Sequence, residues 1–298
     1  MWRTPSSKTA LASGFVILCW AYSPIGIRIG LQSYEPGHLA LLRFLIASVF
    51  MGLVAGVQRI ALPRIRDLPL LVALGFFAVA LHHVALNHGQ RSVSAGAASV
   101  LAQSTPLFSA LIARCFLNEK ITLWRWGCVA LGLAGAVTVI AGDRVFGGFQ
   151  ARGLLVLLAA FAWSVYFVLQ KRHAGRYSAL TMVCYTVWSG TALLCIYLPG
   201  LAGEVARAPM RVNAAVLLLG VLPSALAYLA WAYVLSRIDV SRASMALYLV
   251  PPTAMLMASM VLGEKTSPMV LLGAAIVIAS VVALNFERRG EPLPSRRP

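Results

Sequence analysis

Acidic residues are what this chain has least of. Among 298 residues there are nine, Glu35, Asp67, Glu119, Asp143, Glu204, Asp239, Glu264, Glu287 and Glu291, against 25 Lys and Arg, and the charged share is 11%. A soluble globular chain is about 25% charged, so this chain lacks the polar residues needed to face water on all sides. Every acid stands at the end of an apolar run or in a connecting loop. A proton-coupled pump usually keeps a carboxylate inside the membrane. Its lack here disfavours carboxylate-coupled antiport and a strongly cationic substrate. Facilitated diffusion, exchange and histidine-based coupling stay open, with the proton as a candidate partner.

Other chemistry is missing too. The five cysteines, Cys19, Cys115, Cys128, Cys184 and Cys195, lie in apolar runs without spaced pairs, so no disulfide framework or zinc motif is expected. No convergent nucleophile and base stands out, and neither a catalytic residue nor a cofactor is expected. His82, His83 and His88 invite a metal reading. On a helix, however, His82 and His88 point about 240° apart and His83 and His88 about 140° apart. No carboxylate stands near them, and no metal site is expected.

What the chain has is apolar length. Sixty per cent of it is hydrophobic, in recurring runs of about 20 residues, each long enough to cross about 30 Å of hydrocarbon. Continuous runs, not short alternating segments, exclude a β-barrel. The expected class is an all-α polytopic membrane protein with ten spans, at about 10–30, 38–57, 69–88, 93–116, 124–142, 152–171, 179–198, 212–235, 241–262 and 268–286. Arg3 and Lys8 before the first run resemble a signal peptide, but the run is long and lacks a clear cleavage site, so it reads as the first span. The polar, proline-bearing stretch at 287–298 reads as a disordered cytoplasmic tail.

The formal charge of +16 has the sign of a nucleic-acid binder. Its distribution argues for topology instead, with the lipid bilayer as partner and no nucleic acid. With the N-terminus inside, sixteen Lys and Arg fall in inner segments and six in outer ones, as expected when basic loops stay in the cytoplasm. Both termini are therefore expected in the cytoplasm.

The chain also repeats itself. Adding 145 to Ser99, Pro106, Glu119 and Lys120 gives Ser244, Pro251, Glu264 and Lys265. The same offset relates Gly75 to Gly220, Ala80 to Ala225 and His83 to Tyr228, while an offset of 143 relates Trp20 to Trp163 and Arg28 to Lys171. Two units are expected, at 1–143 and 152–286. Each has five spans, an odd number, so the second enters the membrane upside down relative to the first. Inverted repeats of this kind are typical of secondary transporters with a substrate site near the midplane.

At these residues the chain resembles a known family, the ten-helix EamA-type members of the drug/metabolite transporter superfamily. The resemblance rests on Trp20, Arg43-Phe44, Ala85-Leu86, Ser94-Ala95-Gly96, Ala98-Ser99, Pro106, Glu119 and the glycine-rich fifth span. It continues through Trp163, Pro251, Gly263-Glu264-Lys265 and Gly273, and runs from about Leu11 to Asn285. The resemblance implies a carrier of a small molecule, an exporter or exchanger in a bacterial inner (plasma) membrane. Amino acids, nucleobases and drug-like solutes all occur as cargo in the family. A lipid flippase of the same superfamily is the alternative, with a membrane-embedded enzyme behind it. A homodimer is left open.

The candidate pathway residues are the polar and aromatic side chains inside apolar runs. Ser99, Gln103 and Pro106 share one face of the fourth span by spacing of four and three, and Ser244, Tyr248 and Pro251 or Pro252 share one on the ninth. An unpaired Gln103 in lipid would cost several kcal/mol, so it should face protein or water. Pro106, Pro251 and Pro252 remove backbone donors and are candidate hinges, or simple packing kinks. His83 and Asn87 share a face of the third span, and His83 can change charge near neutral pH; a proton acceptor and a hydrogen-bonded structural histidine are both open. Trp20 and Trp163 are placed inside the bundle, and Tyr228, the offset partner of His83, is a further pathway candidate. Arg43, like Arg28, either snorkels to the interface or forms an anion-attracting mouth. Glu119 and Glu264 read as structural helix-end residues. The pairs Gly52 with Gly56 and Gly132 with Ala136 read as internal packing faces.

Overall fold

A computed structural model describes residues 7–117, 122–143, 151–173, 175–237 and 246–287. Glu119, Ser244 and the tail at 288–298 lie outside the described residues.

The described residues are helical along most of their length. Their helices are α1 (Ser7–Gly30), α2 (Pro36–Gln58), α3 (Leu68–Gly75), α4 (His82–Gly89), α5 (Ala95–Ala102), α6 (Thr105–Leu117), α7 (Leu123–Gly142), α8 (Gly153–Arg172) and α9 (Ala179–Leu194). After them come α10 (Leu201–Arg207), α11 (Met210–Val221), α12 (Ala227–Arg237), α13 (Val250–Leu262) and α14 (Pro268–Glu287). Among the described residues, eight continuous helical stretches are long and apolar enough to cross a membrane, and two shorter apolar helices lie at Leu247–Leu262 and Pro268–Leu284. With no strand among the described residues, this is a multi-pass α-helical membrane protein. A hydrocarbon solvent offers backbone groups no partners, so each span must bond its own.

Sequence accounts for several helix ends. Pro36 opens α2 at its first position, where a missing donor costs nothing. Ser94, Thr122 and Ser178 each accept a backbone N–H three residues on and cap α5, α7 and α9. Gly263 ends α13 in the left-handed conformation at φ 68°, which glycine adopts without a Cβ clash.

Two spans are wound loosely and two are interrupted. Phe76–Leu81, between α3 and α4, is π-helical, and so is Leu222–Leu226, between α11 and α12. Adding 145 to 77–81 gives 222–226. The helix also breaks between α5 and α6, where Gln103 and Ser104 bond three residues back, and tightens to a 3₁₀ turn at Leu247–Leu249 just before α13. These positions share the same offset. The expected single face through Ser99, Gln103 and Pro106 is therefore not continuous, because the backbone turns between the first two residues and the third. Pro106 sits in the first turn of α6, and Pro251 and Pro252 in the first turn of α13. The prolines open second segments; they do not kink one long helix.

Glycines set the closest approaches. A Cβ on Gly75 would meet Ser189 Oγ at 2.2 Å and the Gly190 backbone nitrogen at 2.4 Å, and one on Gly220 would meet Ile46 Cβ at 2.7 Å and the Arg43 carbonyl oxygen at 2.9 Å. Thus α3 packs on α9 and α11 on α2 through the residues that the offset pairs. Gly135 and Gly273 do the same for α7 against α14, where added Cβ atoms would meet Val277 and Val139 backbone nitrogens at 3.0 and 2.8 Å. Gly132 also faces inward, against Leu107 and Ser280. Gly52 and Gly56 differ from expectation: a Cβ at either would meet nothing within 4 Å. That face of α2 is not an internal packing face, since its neighbours Val49 and Leu53 are 68% exposed, as suits a lipid-facing stripe.

Candidate functional site

Arg43 is a buried charge within the bundle. It lies seven residues into α2 from Pro36, about 11 Å along the axis at 1.5 Å per residue, and is 3% exposed. It does not snorkel. Its Nε donates to Ser224 Oγ, and its Nη1 lies 3.2 Å from His83 Nδ1. Ser224 belongs to the second π segment and donates its own hydroxyl proton to the Leu219 carbonyl, five residues back, at 2.9 Å. Residue 223 is proline, so the Leu219 carbonyl has no N–H donor four residues on, and the serine oxygen is left to accept from arginine. Three elements distant in sequence thus meet on one guanidinium: α2, the start of α4 and the second π segment. π segments of this kind often mark functional sites.

Geometry assigns the imidazole protons. Arginine donates and never accepts, so His83 Nδ1 carries a lone pair and the neutral ring holds its proton on Nε2. His83 is 5% exposed, and its Nε2 is buried without a hydrogen-bond partner. His82 is held differently, by its Nδ1 against the Ala159 carbonyl at 2.8 Å.

Aromatic rings continue from this polar centre. Phe44 lies against His83 at 4.6 Å between centroids, and His83 against His82 at 4.5 Å. His82 meets Trp163 at 4.8 Å, Trp163 meets Tyr228 at 6.2 Å, and Tyr228 meets Trp20 at 6.4 Å. Trp20 also contacts Trp231 at 5.5 Å and directs its Nε1–H toward the Pro223 carbonyl at 3.4 Å. The offset partners Trp20 with Trp163 and His83 with Tyr228 therefore join one connected cluster. Tilted and edge-on pairs at these distances are favourable, at about 0.5–1.5 kcal/mol each.

Of the sequence candidates, Trp20, Arg43, His83, Trp163 and Tyr228 come together here. Others do not. Asn87 is 1% exposed and its Nδ2 donates to the Pro36 carbonyl at 2.9 Å, pinning α4 to the start of α2. Ser99 donates to the Gly96 carbonyl of its own helix at 2.6 Å. Tyr248 packs against a separate apolar cluster of Leu107, Cys128, Val129 and Val281. Gln103 joins the two helix interruptions, its Nε2 lying 3.4 Å from the Leu247 carbonyl. Ser224, His82, Phe44 and Trp231 belong to the site without having been chosen from sequence. The π segment is what brings Ser224 in, and a serine in an apolar run announces no such partner.

A second polar group closes one end of the bundle. Glu264, in the segment between α13 and α14, accepts the Ala95 backbone N–H at 2.9 Å and Arg28 Nε at 3.3 Å. Arg28 also donates to the Gln90 carbonyl at 3.1 Å. Nearby, Arg91 pairs with Glu35, Tyr34 bonds Asn213, and Glu204 accepts the Glu35 backbone N–H at 3.2 Å. A surface cavity of about 440 Å³ at this end is lined by Arg28, Gln32, Glu264 and Lys265 among others. It shares no lining residue with the Arg43 cluster. At the opposite end Asp67 accepts from Arg176 at 2.8 Å and from Tyr177 at 2.7 Å.

Comparison with known proteins gives this arrangement a setting. The model of the EamA-like transporter family matches residues 8–141 and again 152–286. The chain is 37% identical over 298 residues to a "Probable terminal-alkyne amino-acid exporter" of Streptantibioticus cattleyicolor, covering 98% of this chain and 99% of that one. It is 35% identical over 279 residues to the "Uncharacterized transporter YdfC" of Bacillus subtilis, covering 94% and 91%. A solved crystal structure at 22% identity superposes with a TM-score of 0.60 over 97% of this chain and 100% of its own, which shows a shared fold.

Proposed function

The chain belongs to the EamA-like transporter family, and from that premise we propose that it is a secondary transporter that exports or exchanges a small metabolite by alternating access. The reading takes ten spans as two inverted five-helix repeats, at 1–143 and 152–286, with both termini in the cytoplasm. A relative bears the name of an amino-acid exporter, and a solute of amino-acid size fits the same reading. The observation that carries it is the buried Arg43–His83–Ser224 cluster with its aromatic surround. Ionisable residues within a membrane are costly, and where they occur they mark substrate or ion pathways.

In this reading the Glu264 end faces outward. The ties of Glu264 to Arg28 and Ala95, and of Tyr34 to Asn213, are the contacts that part when the site opens on that side. Gln103 and Leu247, with Pro106 and Pro251 beyond them, supply the hinge, since helix interruptions near a midplane are where transporter halves move. Proton coupling through His83 would require the guanidinium to leave Nδ1 first, which favours facilitated exchange.

Uptake into proteoliposomes of a panel of amino acids, nucleobases and drug-like solutes tests the proposal. Saturable exchange of at least one solute is expected. Lipid scrambling without movement of any solute would replace the carrier reading with that of a flippase.

A further inference from the structure

Resting on the reading of the chain as a solute carrier, we propose that the Arg43–His83 cluster is an anion site for the carboxylate of a small organic acid with net charge −1. The acid's apolar arm lies against Trp20, Trp163 and Tyr228.

The argument is a balance of donors and charge. Arg43 offers several N–H donors and no acceptor. Of these, Nε goes to Ser224 and Nη1 to His83. His83 adds Nε2–H, a buried donor without a partner. His83 Nε2–H therefore has nothing to receive it, and the guanidinium beside it has no counter-ion among the described residues. Each of the nine acids of the chain stands at a span end or in a loop, and among the described residues no carboxylate pairs with Arg43. A buried charge without a partner is unfavourable, and a bidentate carboxylate is the group whose shape and charge match a guanidinium.

Charge also limits the rest of the solute. One guanidinium balances one negative charge. A zwitterion would bring back a cation that no carboxylate here can receive, and a phosphate dianion would leave one charge unmatched. Phe44 and His82 lie against His83, and through His82 the rings of Trp163, Tyr228 and Trp20 follow, so the remainder of the solute is apolar and short. The ranking expected is 2-oxo acid first, the matching amino acid second and the amino amide last.

The test is thermal stabilisation of the purified full chain in detergent. Ligands are 2-oxo acids from pyruvate to phenylpyruvate, the corresponding amino acids and the corresponding amino amides. Saturable stabilisation by at least one 2-oxo acid is expected, weaker stabilisation by its amino acid and none by its amide. Arg43→Gln should weaken 2-oxo acid binding at least about tenfold, the weight of a charge-assisted hydrogen bond. If that variant does not fold, the ligand series on the unaltered protein decides alone. Amides that stabilise as well as the acids, or acids that give no saturable shift, would overturn the anion site. Counterflow of the same compounds in proteoliposomes separates this inference from the carrier reading. Acid-selective binding without translocation removes the carrier and keeps the site; translocation that treats amides and acids alike removes the site and keeps the carrier.

Discussion

Glu264 and Ala95 stand 169 residues apart, and the Glu264 carboxylate accepts the Ala95 backbone N–H at 2.9 Å. Ala95 is the first residue of α5, so this N–H is one of the donors that a helix start leaves unsatisfied. A negative charge is also favourable at that position. The other carboxylate oxygen takes Arg28, and one side chain holds three segments together. Glu264→Ala is expected to lower the unfolding free energy in detergent by about 1–3 kcal/mol. Glu264→Gln should lose less, because an amide oxygen still accepts the N–H. An Ala variant as stable as the parent would show that this end is not held by the tie.

The same residue makes a pH prediction. Burial raises the Glu264 carboxyl above its ordinary value, while the Ala95 N–H and the Arg28 guanidinium pull it partly back. A group whose folded value is raised binds its proton more readily when folded. Its contribution is then fully present below the ordinary glutamate value and is lost as pH rises through the raised one. Between that ordinary value and neutrality, acidification should therefore favour the parent over Glu264→Gln, whose side chain does not titrate. Parallel stability curves for the two proteins over that window would contradict the assignment.

Glycine positions should separate sharply. Gly190→Ala places a methyl group 2.3 Å from Val79 Cβ and 2.7 Å from the Gly75 carbonyl, and backbone there cannot give way cheaply. A loss of about 1–3 kcal/mol or failure to fold is expected. Gly52→Ala and Gly56→Ala meet nothing within 4 Å and should be neutral or slightly stabilising, since alanine is the better helix former by about 1 kcal/mol. Thermal unfolding in detergent distinguishes them, and equal losses at all three positions would refute the packing described for α2 and α9.

Asn87 and Gln103 are expected to differ in what they control. Asn87 is buried with a 2.9 Å bond to the Pro36 carbonyl, so Asn87→Ala should cost about 1–3 kcal/mol of stability. Gln103 makes a long, 3.4 Å bond between the two helix interruptions. Gln103→Ala should leave stability within about 0.5 kcal/mol and change the exchange rate instead. Stability and rate measured on both variants check the contrast, and the reverse pattern would move the hinge elsewhere.

Much of the site was legible because polar and aromatic side chains are scarce in apolar runs. Arg43 stood out as a costly charge in a membrane and His83 as a side chain able to change charge, and Trp20, Trp163 and Tyr228 stood out because they recur at matched offsets. Ser224 was not legible. Ser224 bonds its own backbone, as a membrane serine normally does, and its oxygen keeps lone pairs; only the packing of α2 beside the second π segment brings Arg43 to them. Asn87 was misleading for a related reason: sharing a helical face with His83 does not decide which partner a side chain finds. Gly52 and Gly56 match a packing motif, but a motif does not say whether a helix stands on that face.

The sequence by itself determined that the chain crosses a membrane repeatedly, because runs of about 20 apolar residues have no other stable solvent. It also set which positions recur at the 145-residue offset, and that no acid lies within a span. Tertiary structure decided what those residues do. Glu264 reaches Ala95, and Arg43 reaches Ser224 and His83, across separations that helical periodicity does not encode. Periodicity fixes which side chains share a face of one helix. Which faces meet is set by where glycine lets backbones approach and where a π turn or a break redirects them, and those are properties of the packed bundle.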